Sequence, residues 1–166
     1  GYFMPEIYKI FPNAKYIFLL RNPLAVLRSI YYKWVIEKGN KLSDYKDDLE
    51  LMPKLLAEGM DLIGEKALII HYEKIVDNPQ KEIERTCKYL NIEYCDAMMK
   101  FNSILPVWDF GDDHVYLHDG PREYYKDQWV RKLNDSKFWN VANNYMKEIN
   151  KGVLEKLGYN YDEIMK

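Results

Sequence analysis

A chain of 166 residues with 48% hydrophobic composition is long enough to bury the core of one domain. Its 24 basic and 26 acidic side chains leave a formal charge of −2 without a dominant basic tract, which removes the electrostatic basis for general nucleic-acid binding. Apolar runs of only a few residues are too short to span a membrane, and no basic stretch leads into a long apolar segment as a secretion signal requires, so a soluble, cytoplasmic protein is expected.

In chain order, residues 5–10 suggest a short helix leading into the run Tyr16–Leu20, whose apolar β-formers lack alternation and predict a strand covered on both faces. Asn22 can cap a helix that Pro23 opens, because proline at the first helical position gives up only an N–H that would be unpaired anyway. Arg21 then stands at the carboxyl end of the strand, beside a helix N-terminus, where open α/β sheets place their ligands. An anion, a phosphate before others, suits that combination of full and partial positive charge; without one, Arg21 reads as half of a surface ion pair. Ser29 falls about 9 Å further along the helix axis and shares a face with Ala25 and Val26. Leu24, Leu27, Tyr31 and Trp34 form a separate apolar stripe suited to core packing, with Arg28 at its edge, solvated or paired.

Gly39 and Asn40 mark a stop and Ser43 and Asp44 a restart; residues 44–63 are helical in pattern, with Pro53 opening a second piece that carries Leu55, Leu56, Met60 and Ile63. The acidic cluster of Asp47, Asp48 and Glu50 reads as a solvated face. After a turn at residues 64–66, residues 67–72 form a second buried-type strand, and two strands separated by helices rather than by a hairpin predict a parallel sheet. Asp77, Asn78 and Pro79 open another helix with Ile83, Cys87 and Leu90 at helical spacing. Cys87 and Cys95 make no disulfide framework and lack metal-ligand spacing, so both are expected to be buried free thiols and no metal site is assigned. Between residues 91 and 119 no period is evident; His114 and His118, four apart with neighbouring aspartates, could ligate zinc only if helical, which Gly111 and a loop there oppose, and a catalytic base among them is a weak alternative. Asp135 or Ser136 caps a last long helix, with Trp139, Ala142, Tyr145, Met146, Ile149, Val153 and Leu157 on one face and Gly158 as its stop.

The Arg-Asn-Pro turn with a serine eight positions after its arginine (Arg21 and Ser29), preceded by Phe11-Pro12-Asn13-Ala14-Lys15, resembles the 3′-phosphate-binding segment of the sulfotransferases that use 3′-phosphoadenosine 5′-phosphosulfate (PAPS). The run from His71-Tyr72-Glu73-Lys74-Ile75 to Tyr89-Leu90-Asn91-Ile92 resembles that family's Tyr-Glu-Asp-Leu strand end and following helix, with Lys74 in place of the usual aspartate. Arg122, ahead of Trp129 and Leu133, falls where the family has the first arginine of a loop that closes over the 3′-phosphate; Glu123 and Tyr124 replace the usual Lys-Gly, and Lys126 could restore the missing charge. The closing helix, ending in Leu-Gly-Tyr, completes three blocks in order along the chain.

The resemblance implies an α/β fold of the P-loop NTPase type, a parallel sheet flanked by helices. Residues 1–166 would be the C-terminal portion of a single sulfotransferase domain, because no Gly-rich phosphate loop occurs in them, and this portion alone would be inactive. It further implies transfer of a sulfuryl group from PAPS to a hydroxyl or amine on a small-molecule, carbohydrate or lipid acceptor, with adenosine 3′,5′-bisphosphate as product. Arg21, Ser29, Tyr72 and Arg122 would bind the cofactor, Tyr72 at the adenine, and no catalytic residue is named. In the fold implied, the phosphate-loop strand lies between the two strands of this chain, which should therefore be parallel without being directly hydrogen-bonded. Another P-loop transferase, such as a small-molecule kinase with upstream magnesium ligands, and a non-catalytic α/β interaction module are the alternatives. Without a ligand, Tyr72 bridges core and solvent and Arg122 is a surface residue at a helix start.

Overall fold

The computed structural model describes residues 3–100 and 135–164. The order is α1 (Met4–Ile10), β1 (Tyr16–Leu20), α2 (Pro23–Ile30), α3 (Met52–Ile63), β2 (Ala67–His71), α4 (Tyr72–Asp77), α5 (Pro79–Leu90), α6 (Ser136–Glu148), α7 (Lys151–Lys156) and α8 (Tyr161–Ile164). Short π-helical turns continue α2 over Tyr31–Ile36 and lead into α3 over Asp47–Leu51. The helices start where the local chemistry places them. Asn22 Oδ1 accepts from the Leu24 and Ala25 amides ahead of α2, Asn78 Oδ1 from Lys81 ahead of α5, and Asp135 Oδ1 from Lys137 and Phe138 ahead of α6.

β1 and β2 form one parallel ladder, with Tyr16 opposite Ala67 and Leu20 opposite His71. This corrects the expectation of an intervening strand. Among the described residues no third strand stands between them, so their backbone groups satisfy each other directly. The strand also has one covered face rather than two: Tyr16, Phe18 and Leu20 are buried, whereas Ile17 and Leu19 are 40% and 59% exposed. The covered face packs on α3, where Gly59 permits the approach, since a Cβ there would lie 3.1 Å from the Phe18 ring. On α5, the Tyr89 hydroxyl accepts from the Tyr16 amide and lies within hydrogen-bond distance of the Tyr16 and Lys66 carbonyls, tying the starts of both strands together.

A second core joins α2 to α6. Leu24, Leu27 and Ile30 pack with Phe138, Ala142, Tyr145 and Met146, as the stripe predicts for its first two members; Tyr31 and Trp34 stay partly buried at its margin. The long closing helix is two helices. Ile149 is extended and Asn150 caps α7 by accepting from the Val153 amide, a break hidden in the sequence because Ile149 and Val153 keep the apolar period intact. Cys87 is buried as expected, but Cys95 is exposed. Among the described residues no helix is long and apolar enough to cross a membrane.

The Tyr32 hydroxyl ties the end of α2 to α6 by donating to Asp135 at 2.8 Å. Burial first, then the adjoining carboxylate, push the Tyr32 phenol up to about 12. The Asp135 carboxyl is held below the ordinary aspartate value, chiefly by that hydrogen bond. A depressed carboxylate contributes stability above its unfolded pKa and loses it as pH falls through the folded one. Asp135→Asn keeps the cap, so the melting-temperature gap between it and the wild type should be constant near neutrality and shrink below about pH 4. A gap that persists unchanged to pH 2 would assign the tie to packing alone.

Candidate functional site

The register that sets Leu20 opposite His71 brings the next residues, Arg21 and Tyr72, together beyond the carboxyl end of the sheet. The Arg21 guanidinium carbon lies 4.4 Å from the centre of the Tyr72 ring, a cation–π contact that orients the charge. Tyr72 is already the first residue of α4, one position beyond the strand in which the sequence places it. The Arg21 Nε is buried and, among the described residues, has no hydrogen-bond partner. A buried donor left unpaired costs about 1–3 kcal/mol, so its persistence marks a place where a ligand acceptor would be stabilising.

The helix N-terminus beside it is already spent. The Asn22 amide donates to Glu73 Oε1 at 2.7 Å, Pro23 has no N–H, the Leu24 and Ala25 amides go to Asn22 Oδ1, and the Val26 amide goes to the Asn22 carbonyl. An anion here can feel the helix dipole but finds no free amide among these, which leaves the Arg21 side chain as the donor.

Glu73 was not read from the sequence as a site residue, yet it joins the turn to the other end of the chain. Its Oε2 accepts from the Tyr159 hydroxyl at 3.0 Å, and His71 Nε2 donates to the Leu157 carbonyl at 2.9 Å. Burial pushes the Tyr159 phenol up strongly, and the Glu73 charge adds to the shift, so this hydroxyl stays a donor. Arg21, Val26, Asp48, Leu56 and Tyr159 help to line a cavity of about 180 Å³. That is below the ~300–1,000 Å³ of typical ligand pockets, room for a phosphate rather than for a whole nucleotide.

Of the predicted cofactor residues, Arg21 and Tyr72 are in contact. Ser29 is exposed on α2 and does not line this cavity. Arg122 lies outside the described residues, as do His114, His118, Lys126, Trp129 and Leu133. Arg28 packs against Tyr32, with its guanidinium carbon 5.3 Å from the ring centre. A larger cavity of about 340 Å³, lined by Leu27, Leu49, Val141 and Tyr145 among others, contains none of the predicted site residues among those described.

A family model described as the sulfotransferase family matches residues 2–96. Among curated proteins, protein-tyrosine sulfotransferase 1 of Danio rerio is 33% identical over 104 residues, covering 58% of this chain and 28% of its own length. Protein-tyrosine sulfotransferase A of Caenorhabditis elegans is 26% identical over 101 residues, covering 58% and 27%. The chain thus spans well under half of these relatives. Among solved structures, a sulfotransferase domain from the curacin biosynthetic pathway superposes with a TM-score of 0.63 at 17% identity, over 89% of this chain and 58% of that one. That likeness is one of fold.

Proposed function

This chain belongs to the sulfotransferase family, and from that premise we propose that the protein containing it transfers a sulfuryl group from PAPS to an acceptor hydroxyl, leaving adenosine 3′,5′-bisphosphate. In this reading residues 1–166 supply the 3′-phosphate and adenosine side of the donor site. The observation that carries it is Arg21: a permanently charged fork at the carboxyl end of β1, braced on Tyr72, with a buried Nε donor unspent. Those features fit a phosphate, which accepts from a guanidinium at short range and keeps its charge. Ser29 and Arg122 are proposed as further phosphate contacts and Tyr72 as the adenine neighbour.

When bound, PAPS would supply the transferable group. The residues of this chain bind and align it, which lowers the barrier by holding the donor in register with the acceptor. The relatives named for protein tyrosine favour a phenolic hydroxyl on a protein over a small-molecule, carbohydrate or lipid acceptor.

Calorimetric titration of the protein containing this chain with adenosine 3′,5′-bisphosphate and with AMP tests the nucleotide assignment. A preference of at least ~10-fold for the bisphosphate is expected, the value of one charge-assisted hydrogen bond. Equal affinities would remove the 3′-phosphate reading. Incubation with radiolabelled PAPS and a tyrosine-containing peptide should label the peptide, and its phenylalanine counterpart should stay unlabelled.

A further inference from the structure

We propose that Glu73 and Tyr159 form a clasp that holds the Arg21–Asn22 turn in its anion-ready geometry, and that they are positioning residues for the Arg21 site; this rests on the reading of Arg21 as an anion anchor. The turn follows β1 without regular backbone pairing of its own, and its amide at Asn22 is held by Glu73 Oε1 at 2.7 Å. Glu73 sits in the first turn of the short α4, so its direction depends on what engages its other oxygen. The Tyr159 hydroxyl does so, donating at 3.0 Å.

Tyr159 is itself placed by the chain around it. Gly158 takes φ +81 at the end of α7, and a Cβ at that position would lie 2.8 Å from His71 Nε2. Only a residue without a side chain lets His71 reach the Leu157 carbonyl there while the Tyr159 ring stands edge-on to the His71 ring, with centroids 5.4 Å apart. Leu-Gly-Tyr thus makes two contacts to the end of β2 and one to the start of α4: a carbonyl to His71, a bare Cα against its ring, and a hydroxyl to Glu73.

The clasp also keeps the charges apart. A carboxylate one residue from the tyrosine that braces an arginine would ordinarily take its guanidinium as a partner. Here one oxygen of Glu73 takes the Asn22 amide and the other the Tyr159 hydroxyl, and among the described residues no ion pair joins Glu73 to Arg21. Arg21 is left to its contact with Tyr72 and to the cavity that Tyr159 also lines.

The test uses Tyr159→Phe, which removes one oxygen and keeps the ring, and Glu73→Gln, each alone and combined with Arg21→Ala, in the protein containing this chain. Tyr159→Phe should weaken binding of adenosine 3′,5′-bisphosphate about 3- to 15-fold, leave AMP binding unchanged, and speed hydrogen exchange at the Asn22 amide. In the Arg21→Ala background it should add nothing, because residues acting through one group are not additive. Glu73→Gln should act in the same direction. Bisphosphate preference retained in both variants, an equal loss for both nucleotides, or an undiminished effect in the Arg21→Ala background would each overturn the clasp. A wild type that does not distinguish the nucleotides overturns the nucleotide reading instead. Asn22 exchange then decides the clasp alone, and unchanged exchange in Tyr159→Phe refutes it.

Discussion

Replacing Arg21 by alanine should weaken binding of adenosine 3′,5′-bisphosphate by roughly 10- to 150-fold and leave AMP binding within about twofold of wild type. The magnitude follows from the ~1.5–3 kcal/mol of a hydrogen bond to a charged group, and none of it is spent on replacing an existing partner, since Arg21 Nε has none among the described residues. Removing the guanidinium also removes the cation–π contact on the Tyr72 ring, worth about 0.5–2 kcal/mol. General unfolding would weaken both nucleotides together, so the ratio of the two affinities is the quantity to measure. An Arg21→Ala protein with the wild-type ratio would take Arg21 out of the site. Ser29→Ala should move the ratio in the same direction by less, since Ser29 stands apart from the cavity.

Phe138→Ala should cost ~3–5 kcal/mol of folding stability, the largest loss expected from a single truncation among the described residues. Phe138 is fully buried, with Tyr31 and Tyr32 rings each centred 5.6 Å away, so the vacated volume is walled by bulky groups that cannot all move in. For a chain of this length that corresponds to a melting-temperature drop of about 6–20 °C. The denaturant midpoint should fall with the slope unchanged, and nucleotide selectivity should survive at low temperature. A loss below ~1 kcal/mol would mean that α6 packs on α2 far more loosely than the geometry indicates.

What the sequence makes legible here is what local chemistry decides. Asn22-Pro23 and Asn78-Pro79 announce helix starts because a side-chain acceptor and a missing N–H act within one turn, and both helices begin at their prolines. The apolar run 16–20 becomes β1 with the expected bounds, and Arg21 and Tyr72 fall together because both follow a strand end. The failures involve distance or duplicated signals. Ile17 and Leu19 are apolar yet exposed, and nothing within the run separates them from Phe18, which is buried against Gly59. The break at Ile149 is masked because an extended isoleucine still faces the core. Glu73 and Tyr159 gave no sign of a shared role, since their hydrogen bond joins residues 86 positions apart. The intervening strand expected from the family resemblance is a matter of pairing, which no run of five residues encodes.

The bond from the Asn22 amide to Glu73 spans 51 positions of chain, and this separation carries a kinetic consequence. Closing a loop of that size costs entropy before any contact repays it, whereas the helices between can form from neighbours in sequence. The anchor therefore has to be the late product of folding: α2 and α3 can acquire their hydrogen bonds while Arg21 still lacks its Tyr72 brace. In pulse-labelled refolding, amides within α3 should gain protection before the Asn22 amide does, and ligand-binding competence should appear with the latter. Simultaneous protection would instead make strand pairing part of the nucleus, and substitutions at the Arg21 end of the ladder would then slow folding itself rather than merely speed unfolding.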